Sequence, residues 1–380
     1  MMHIRYVTTL LVLASITGSP AAPIDNWHAR NAGTAKRLTD VAYGNGSFVA
    51  VGEEGTILRS ANGVDWSPVP SGTVARLDAI AFGNGVFVTV GGLGNKPMFT
   101  SPDGVHWTPR TNAIAGGYLD VTFNGSLFFT LAGKGAYGTS SNGIDWATGK
   151  IRSSQDPAAV AYGGGTWVVA GYKPSGANEG MLWTSSDLRE WTPRESKAPN
   201  NLFAAGYIQG TFVVAGQNGV LSSSPDGTQW TLRNSRTEGF LWDFANGGDF
   251  LVASGQYGRM CYSTDGIEWT RVETGLATHL TGVTFGAGTF VAVGWDGAIA
   301  QSDPITAPEP SDSPRLRIRR VSNRTVVSWP RAFDGYQLQR SSALGRGPWE
   351  PAGEPVIDTA TEHTVEVPEF EANAVFRLAR

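Results

Sequence analysis

A single cysteine, Cys261, among 380 residues leaves the chain without any possible intramolecular disulfide. Charge is scarce as well: Asp, Glu, Lys and Arg make up 16% of the sequence, where about a quarter is usual. The formal net charge is −4, and a chain with no basic surplus lacks the electrostatic footprint of a nucleic-acid binder. No stretch approaches the ~20 apolar residues that a membrane-spanning helix needs. Histidines 28, 106, 279 and 363 lie far apart, with neither an HExxH pair nor paired cysteines to hold zinc. EF-hand spacing is absent, and so are a nucleophile elbow on a strand-to-helix turn and a GxxxxGK[ST] phosphate loop. Neither a metal nor a cofactor is expected from this inventory.

What the sequence has in abundance is glycine, 49 residues, and aromatic side chains, 11% of the total with 13 tryptophans. Glycine supplies turn conformations and aromatics suit the half-buried faces of short strands, so an all-β chain with many tight turns is expected. The first residues read differently. His3 and Arg5 precede a short apolar run from Tyr6 to Ile16, and Ser19 and Ala21 carry small side chains at the spacing a signal peptidase reads. Cleavage after Ala21 is preferred, because cleavage after Ala22 would leave Pro23 at the new terminus. Residues 1–21 are therefore expected to be a signal peptide and the mature chain to be secreted or periplasmic. Cys261 sits in the alternating run RMCYS and is expected to be a buried structural thiol.

Internal repetition organises the chain up to about residue 304. One segment reads LTDVAYGNGSFVAVGEEGTILRSANGVDW from Leu38 to Trp66, and another reads LTGVTFGAGTFVAVGWDGAIAQSD from Leu280 to Asp303. LDAIAFGNGVFVTVGG, PAAVAYGGGTWVVAGY, LFAAGYIQGTFVVAGQ and LWDFANGGDFLVASGQ repeat the pattern between them. Units close on Ser/Thr-x-Asp/Asn-Gly-x-x-Trp or a near variant, with tryptophans at 66, 107, 146, 191, 230 and 269, spaced by 41, 39, 45, 39 and 39. That period, with four short alternating runs per unit, predicts the four-stranded blades of a β-propeller. Recurrence assigns the box residues to the scaffold: the carboxylate or amide accepts backbone N–H groups, glycine takes positive φ and the tryptophan buries a large face. A seventh unit stops after Asp303 without its tryptophan, while Ile24-Asp25-Asn26-Trp27 resembles a box ending 39 residues before Trp66. The N-terminal strand is expected to complete the last of seven blades, leaving no open sheet edge.

The motif GxxGxIxxSxDGxxW, present as GEEGTILRSANGVDW and approximated by GQYGRMCYSTDGIEW, resembles that of the Asp-box (bacterial neuraminidase repeat) propellers over about residues 24–304. Sialidases, sortilin-type receptors, xyloglucan-active glucanases and the photosystem II assembly and stability factors belong to this superfamily. The resemblance implies the fold; its motif sits at outer turns away from the central channel and implies no function. Sialidases use an arginine cluster, a Tyr–Glu pair and an acidic acid/base residue on a six-bladed ring. Their Arg-Ile-Pro motif is missing here, Arg37-Leu38-Thr39 being the nearest arginine-containing sequence, so no sialidase catalytic residue is carried over. The photosystem assembly family shares the blade number and repeat style and has no catalytic residues to carry over.

Beyond the repeats, residues 305–314 form a Pro/Ser-rich linker. Six strand-like runs within 315–380 predict a small immunoglobulin- or fibronectin-like β-sandwich with Trp329 in its core. The propeller proper is assigned to 22–304.

Candidate site residues are those that break the repeat where loops gather round one mouth of the channel. Asp40, Asp120 and Asp243 occupy equivalent first-strand positions where other units have Ala or Gly. Trp242 and Trp295 also depart from the pattern, and Tyr118, Tyr172, Tyr257, Arg259 and His279 lie at or beside the same loops. Carboxylates beside aromatic platforms suit carbohydrate recognition, and paired carboxylates suit glycosidic acid–base chemistry. The expectation is an exported, non-enzymatic, monomeric recognition or assembly platform for a glycan or protein ligand. The alternative is a carbohydrate-active enzyme, a glycoside hydrolase or polysaccharide lyase, working at the same mouth.

Overall fold

Each repeat folds into consecutive hairpins because its turn residues dictate them. Asn45-Gly46, Asn84-Gly85, Gln209-Gly210 and Ala287-Gly288 are two-residue loops with both residues at positive φ, 45° and 71° in the first. That is the geometry whose twist matches the flanking strands. The computed structural model describes residues 23–92, 97–111, 114, 117–151, 156–172 and 180–305, together with 317–321, 324–330, 337–341, 350–351, 355–358, 362–368 and 375–379. The expected signal peptide and nearly all of the expected linker lie outside the described residues.

Between Trp27 and Ser302 the described residues form seven four-stranded antiparallel sheets. Sheets I to VII have as first strands Leu38–Gly44, Ala79–Gly83, Tyr118–Phe123, Asp156–Gly163, Leu202–Ile208, Leu241–Gly247 and Leu280–Gly286. These first strands adjoin one another in order, and that of sheet VII adjoins that of sheet I, so the sheets stand in a ring. Second strands such as Ser47–Gly52 and Thr289–Gly294 are buried throughout, because each lies between neighbouring sheets and needs apolar side chains on both faces. Close approach of neighbours explains the glycine that ends most first strands. A Cβ at Gly286 would lie 2.0 Å from the Tyr43 ring of the next sheet, and Gly44 meets Phe82 in the same way. Each seated ring also packs on its own hairpin, Tyr43 against Phe48 and Phe82 against Phe87, both at 4.7 Å between centroids.

The outer strand of sheet VII comes from the opposite end of the sequence. Trp27–Arg30 pairs antiparallel with Ile299–Ser302. Trp27 Nε1 donates to Ile24 O at 2.8 Å, the same three-residue step by which Trp66 donates to Gly63 O and Trp230 to Gly227 O. Ile24 is fully buried among residues of sheets VI and VII. Arg30 Nε donates to Gln301 Oε1 at 2.9 Å, and His28 Nε2 lies 2.7 Å from Asp303 Oδ1.

The recurring boxes are self-contained turns. Asp226 Oδ1 accepts the N–H groups of Thr228 and Gln229 at 2.7 and 3.0 Å, and Ser224 Oγ donates to it as well. The Thr228 hydroxyl and these N–H groups hold the Asp226 carboxyl below the usual carboxylate range. The box glycine is required twice over at Gly104: its φ is +72°, and a Cβ would come 2.7 Å from Val49 Cγ2 of the preceding sheet. Sheet IV places Leu188 at this position and keeps the positive φ, 62°. There the Tyr137 hydroxyl donates to Leu188 O, and Trp191 Nε1 is left without the partner that most box tryptophans have. Asp226→Ala is expected to cost about 1 kcal/mol, since a hydrogen bond contributes ~0.5–1.5 kcal/mol and solvent screens this exposed turn. A modest fall in Tm with unchanged binding at the channel mouth would confirm it.

Ala21–Thr306 makes up one compact unit, and Ala307–Arg380 belongs to a second. In the second, Arg317–Val321, Arg324–Pro330, Glu362–Pro368 and Val356–Asp358 form a four-stranded sheet in that order. Glu350–Pro351, Gln337–Ser341 and Val375–Ala379 form a three-stranded one. Trp329 and Val327 are buried there. Among the described residues no helix is long and apolar enough to cross a membrane.

Candidate functional site

A β-bulge in the first strands builds the site. In sheet I, Leu38 and Asp40 pair with Gly52 and Val51, so Thr39 is an extra residue with no partner across the ladder. The same irregularity recurs in sheets III to VII. The bulged residues Thr39, Leu119, Ala158, Phe203, Trp242 and Thr281, with Asp78 from sheet II, line a cavity of 280 Å³ at one mouth of the channel. One residue further along each strand, sheets I, III and VI carry Asp40, Asp120 and Asp243. These three also line a second cavity of 340 Å³, bounded by all seven first strands. They therefore stand at the waist where the two cavities meet.

Each of the three carboxylates bridges two sheets. Asp40 accepts the N–H of Val41 at 2.7 Å with one oxygen and that of Ile80, in sheet II, at 2.8 Å with the other. Asp243 does the same with Phe244 at 2.7 Å and Val283, in sheet VII, at 2.9 Å. Asp120 accepts from Val121 and from Val160 in sheet IV. The innermost edge of a sheet has N–H groups with no neighbouring strand to take them, and these aspartates satisfy six of them, two each. A clean division between site and scaffold, drawn from the repeat pattern, does not hold for these residues. Thr39 and Thr281 make analogous links with their hydroxyls, to Leu77 O at 2.6 Å and Leu38 O at 3.0 Å.

Withdrawal from water makes ionisation of the three costly. Burial, then the charge of Asp243, pushes Asp40 well above the ordinary carboxylate range, against the pull of its two N–H donors. The same two causes raise Asp120 to about 7, and burial raises Asp243 to about 6. The waist thus holds protons near neutral pH, which is acid–base character set by desolvation and like charge.

Two aromatic clusters rim the mouth. Phe203 lies 5.8 Å from Tyr172 and 5.4 Å from Trp242, and Trp242 stacks on Phe240 at 4.9 Å and 12°. Further round the ring, at sheets VI and VII, His279 sits 4.6 Å from Tyr257 and 4.4 Å from Trp295. The Arg37 guanidinium lies over the Trp295 ring at 4.8 Å, and Arg37 also lines the mouth cavity. Burial and the neighbouring Arg76 lower its pKa. Arg76 is itself paired with Asp78, Nε to Oδ1 at 2.7 Å, and Asp78 Oδ2 accepts the Gly92 N–H at 2.6 Å. Burial, then Arg37, lowers His279, whose Nδ1 accepts the Tyr257 N–H at 3.3 Å.

Of the residues singled out in the sequence, Asp40, Asp120, Asp243, Trp242 and Tyr172 line the mouth cavity, and Tyr257, His279 and Trp295 form the second rim cluster. Two are placed elsewhere. Tyr118 is buried in the core between sheets II and III, because it occupies the position of the buried leucines at the start of other first strands. Arg259 lies in the third strand of sheet VI opposite Glu273 and lines neither channel cavity. Cys261 is buried, and desolvation pushes its thiol up, away from reactivity. Phe203, Phe240, Arg37 and Asp78 were missed. Phe203 was findable, since it stands at the same repeat position as Trp242. Among the described residues no group of three or more His, Cys, Asp or Glu side chains is arranged to hold a metal.

No protein-family model matches the chain, and no curated protein is detectably similar to it. Solved structures are. YCF48 from Cyanidioschyzon merolae is similar at 20% identity and a TM-score of 0.59, over 74% of this chain and 100% of that one. A structure of YCF48 bound to D1 peptide gives 16% identity and a TM-score of 0.59, over 75% and 99%. Virginiamycin B lyase from Staphylococcus aureus gives 9% and 0.62, over 73% and 98%. At these identities the likeness is one of fold: the repeats build a β-propeller, and the resemblance to photosystem-assembly-factor-like propellers read from the boxes is present in three dimensions.

Proposed function

We propose that this protein is an exported, non-enzymatic recognition platform that binds a protein or peptide segment at the aromatic mouth of the channel. In this reading the seven sheets are the seven blades of one propeller, and the two C-terminal sheets form an immunoglobulin-like sandwich. Residues 1–21 direct export to the periplasm or beyond. The observation that carries the reading is the rim itself: exposed or half-buried Tyr172, Phe203, Trp242, Tyr257 and Trp295 converge round one opening, although soluble surfaces seldom gather aromatics without a partner. A propeller of the same fold, YCF48, has been captured with a peptide, which supports a protein ligand over a glycan. Trp242→Ala and Trp295→Ala are expected to lower affinity for peptides selected by the wild-type protein at least tenfold, the ~1.4 kcal/mol or more of a rim anchor. Both should leave Tm within a few degrees. Unimpaired binding by both variants would remove the mouth as the site.

A second reading is favoured by Asp120 and Asp243, raised to about 7 and about 6, as general acid and base of a carbohydrate-active enzyme. It predicts release of reducing ends or unsaturated sugars from polysaccharides, abolished by Asp120→Asn. The carboxylates' engagement by backbone N–H groups favours the first reading.

A further inference from the structure

Behind the rim lies the mouth cavity, with the waist aspartates at its floor. Its volume, 280 Å³, falls just below the ~300–1,000 Å³ of small-molecule pockets, room for a single anchor rather than a whole ligand. Phe203 and Trp242 supply flat aromatic walls, and Leu119 adds an aliphatic one. The charged lining is one-sided: Asp40, Asp78, Asp120 and Asp243 against Arg37 alone. Arg37 is drawn aside onto the Trp295 ring, and Asp78 is satisfied by Arg76 and Gly92, which leaves the three waist aspartates facing the cavity without a cation.

We propose that this cavity takes a lysine or arginine side chain of a peptide ligand, its stem lying along the contiguous faces of Phe203 and Trp242 and its cationic head at Asp40, Asp120 and Asp243. The inference rests on the reading of the mouth as a peptide-binding site and names the anchor that such a peptide must carry. An aromatic wall attracts a cation through the ring quadrupole, and a long basic side chain buries its methylenes while its head reaches charge. A neutral sugar would draw no charge from the carboxylates, and an acidic peptide would oppose their ionisation further.

Binding is then linked to protons. The waist aspartates hold protons in the empty channel because burial and mutual repulsion disfavour ionisation, and an arriving cation releases them. The groups that face the waist or its entrance are Asp78, Arg37 and Arg76 from sheets I and II, with Glu53 beside Arg37, and Tyr172 with Asp156 in sheet IV. None of these has an ordinary pKa between 5 and 8; His279 in the second rim cluster does, and burial and Arg37 lower it, so the Asp120→Asn variant is what separates the carboxylate trio's share of the linkage from that of His279.

The test selects peptides from a random library with the full chain and resynthesises the best binder with each lysine or arginine replaced by norleucine. One replacement is expected to lower affinity at least tenfold, while the others change it little. Affinity of the parent peptide should rise several-fold from pH 5 to pH 8, and that of the norleucine peptide should stay flat. Asp120→Asn should reduce the preference for the basic residue over norleucine. The pH series uses only the wild-type protein, so it decides the matter if that variant folds poorly. Selected peptides that tolerate every norleucine replacement, or whose affinity is independent of pH, overturn the cationic anchor while the peptide site stands. Failure to select any peptide overturns both.

Discussion

Deleting residues 22–36 is expected to lower Tm by 10 °C or more, or to leave the protein insoluble. The deletion removes Trp27–Arg30 from the edge of sheet VII and exposes the Ile299–Ser302 strand as an unpaired template for aggregation. Ile24, fully buried, is lost with it, and removing a large aliphatic side chain alone costs about 2–5 kcal/mol. The Arg30–Gln301 and His28–Asp303 contacts go too. Against a net domain stability of ~5–15 kcal/mol the sum is severe, and each kcal/mol shifts Tm by roughly 2–4 °C in large domains. Thermal and denaturant unfolding of the truncated chain measure it, and an unchanged Tm would show that the ring does not depend on its N-terminal strand. Ile24→Ala, which keeps the strand, should give an intermediate loss.

The stability of the propeller should fall as pH rises from 5 to 8, the reverse of the usual behaviour of aspartates. Asp120 and Asp243 titrate at about 7 and about 6 in the folded protein, above the ordinary value of an unfolded Asp, and Asp40 is raised as well. The folded state therefore holds protons that the unfolded chain has given up between about pH 4 and pH 7. Stability from these groups is fully present below pH 4 and is lost as pH climbs through 6 and 7. The loss between pH 5 and pH 8 is on the order of 2–4 kcal/mol after allowing for water in the channel. Asp103 and Asp226 work in the other direction: their carboxyls are held low, so their contribution is lost only in strong acid. His279, also lowered, opposes the trend near neutrality. The decisive quantity is thus the difference between wild type and Asp120→Asn, whose Tm against pH should be flatter from pH 5 to pH 8. Parallel profiles for the two proteins would show that the waist carries no excess protons.

The sequence by itself determined the repeating hairpins, because the instructions are local. Asn-Gly loops fix the turns, and Ser-x-Asp-Gly-x-x-Trp closes on its own backbone, as Asp226 and Trp230 do within five residues. Period and composition were therefore enough for the all-β class and for four short strands in each repeat. The three aspartates and Trp242 were legible as departures from that period. Only the tertiary structure decided what the departures do. That Asp40 reaches Ile80 and Asp243 reaches Val283, both 40 residues on, depends on neighbouring sheets standing side by side. The rise of Asp120 to about 7 needs its burial at the waist of the channel and the charge of Asp243 from three sheets away. Arg37 comes over Trp295 only because the ring brings sheet I beside sheet VII. A bulge that aims Phe203 into the cavity and a buried Tyr118 at the neighbouring register position are one residue apart in repeat phase. A period read along the chain has no means to tell an inward side chain from a buried one; packing of one sheet on the next assigns each to its face.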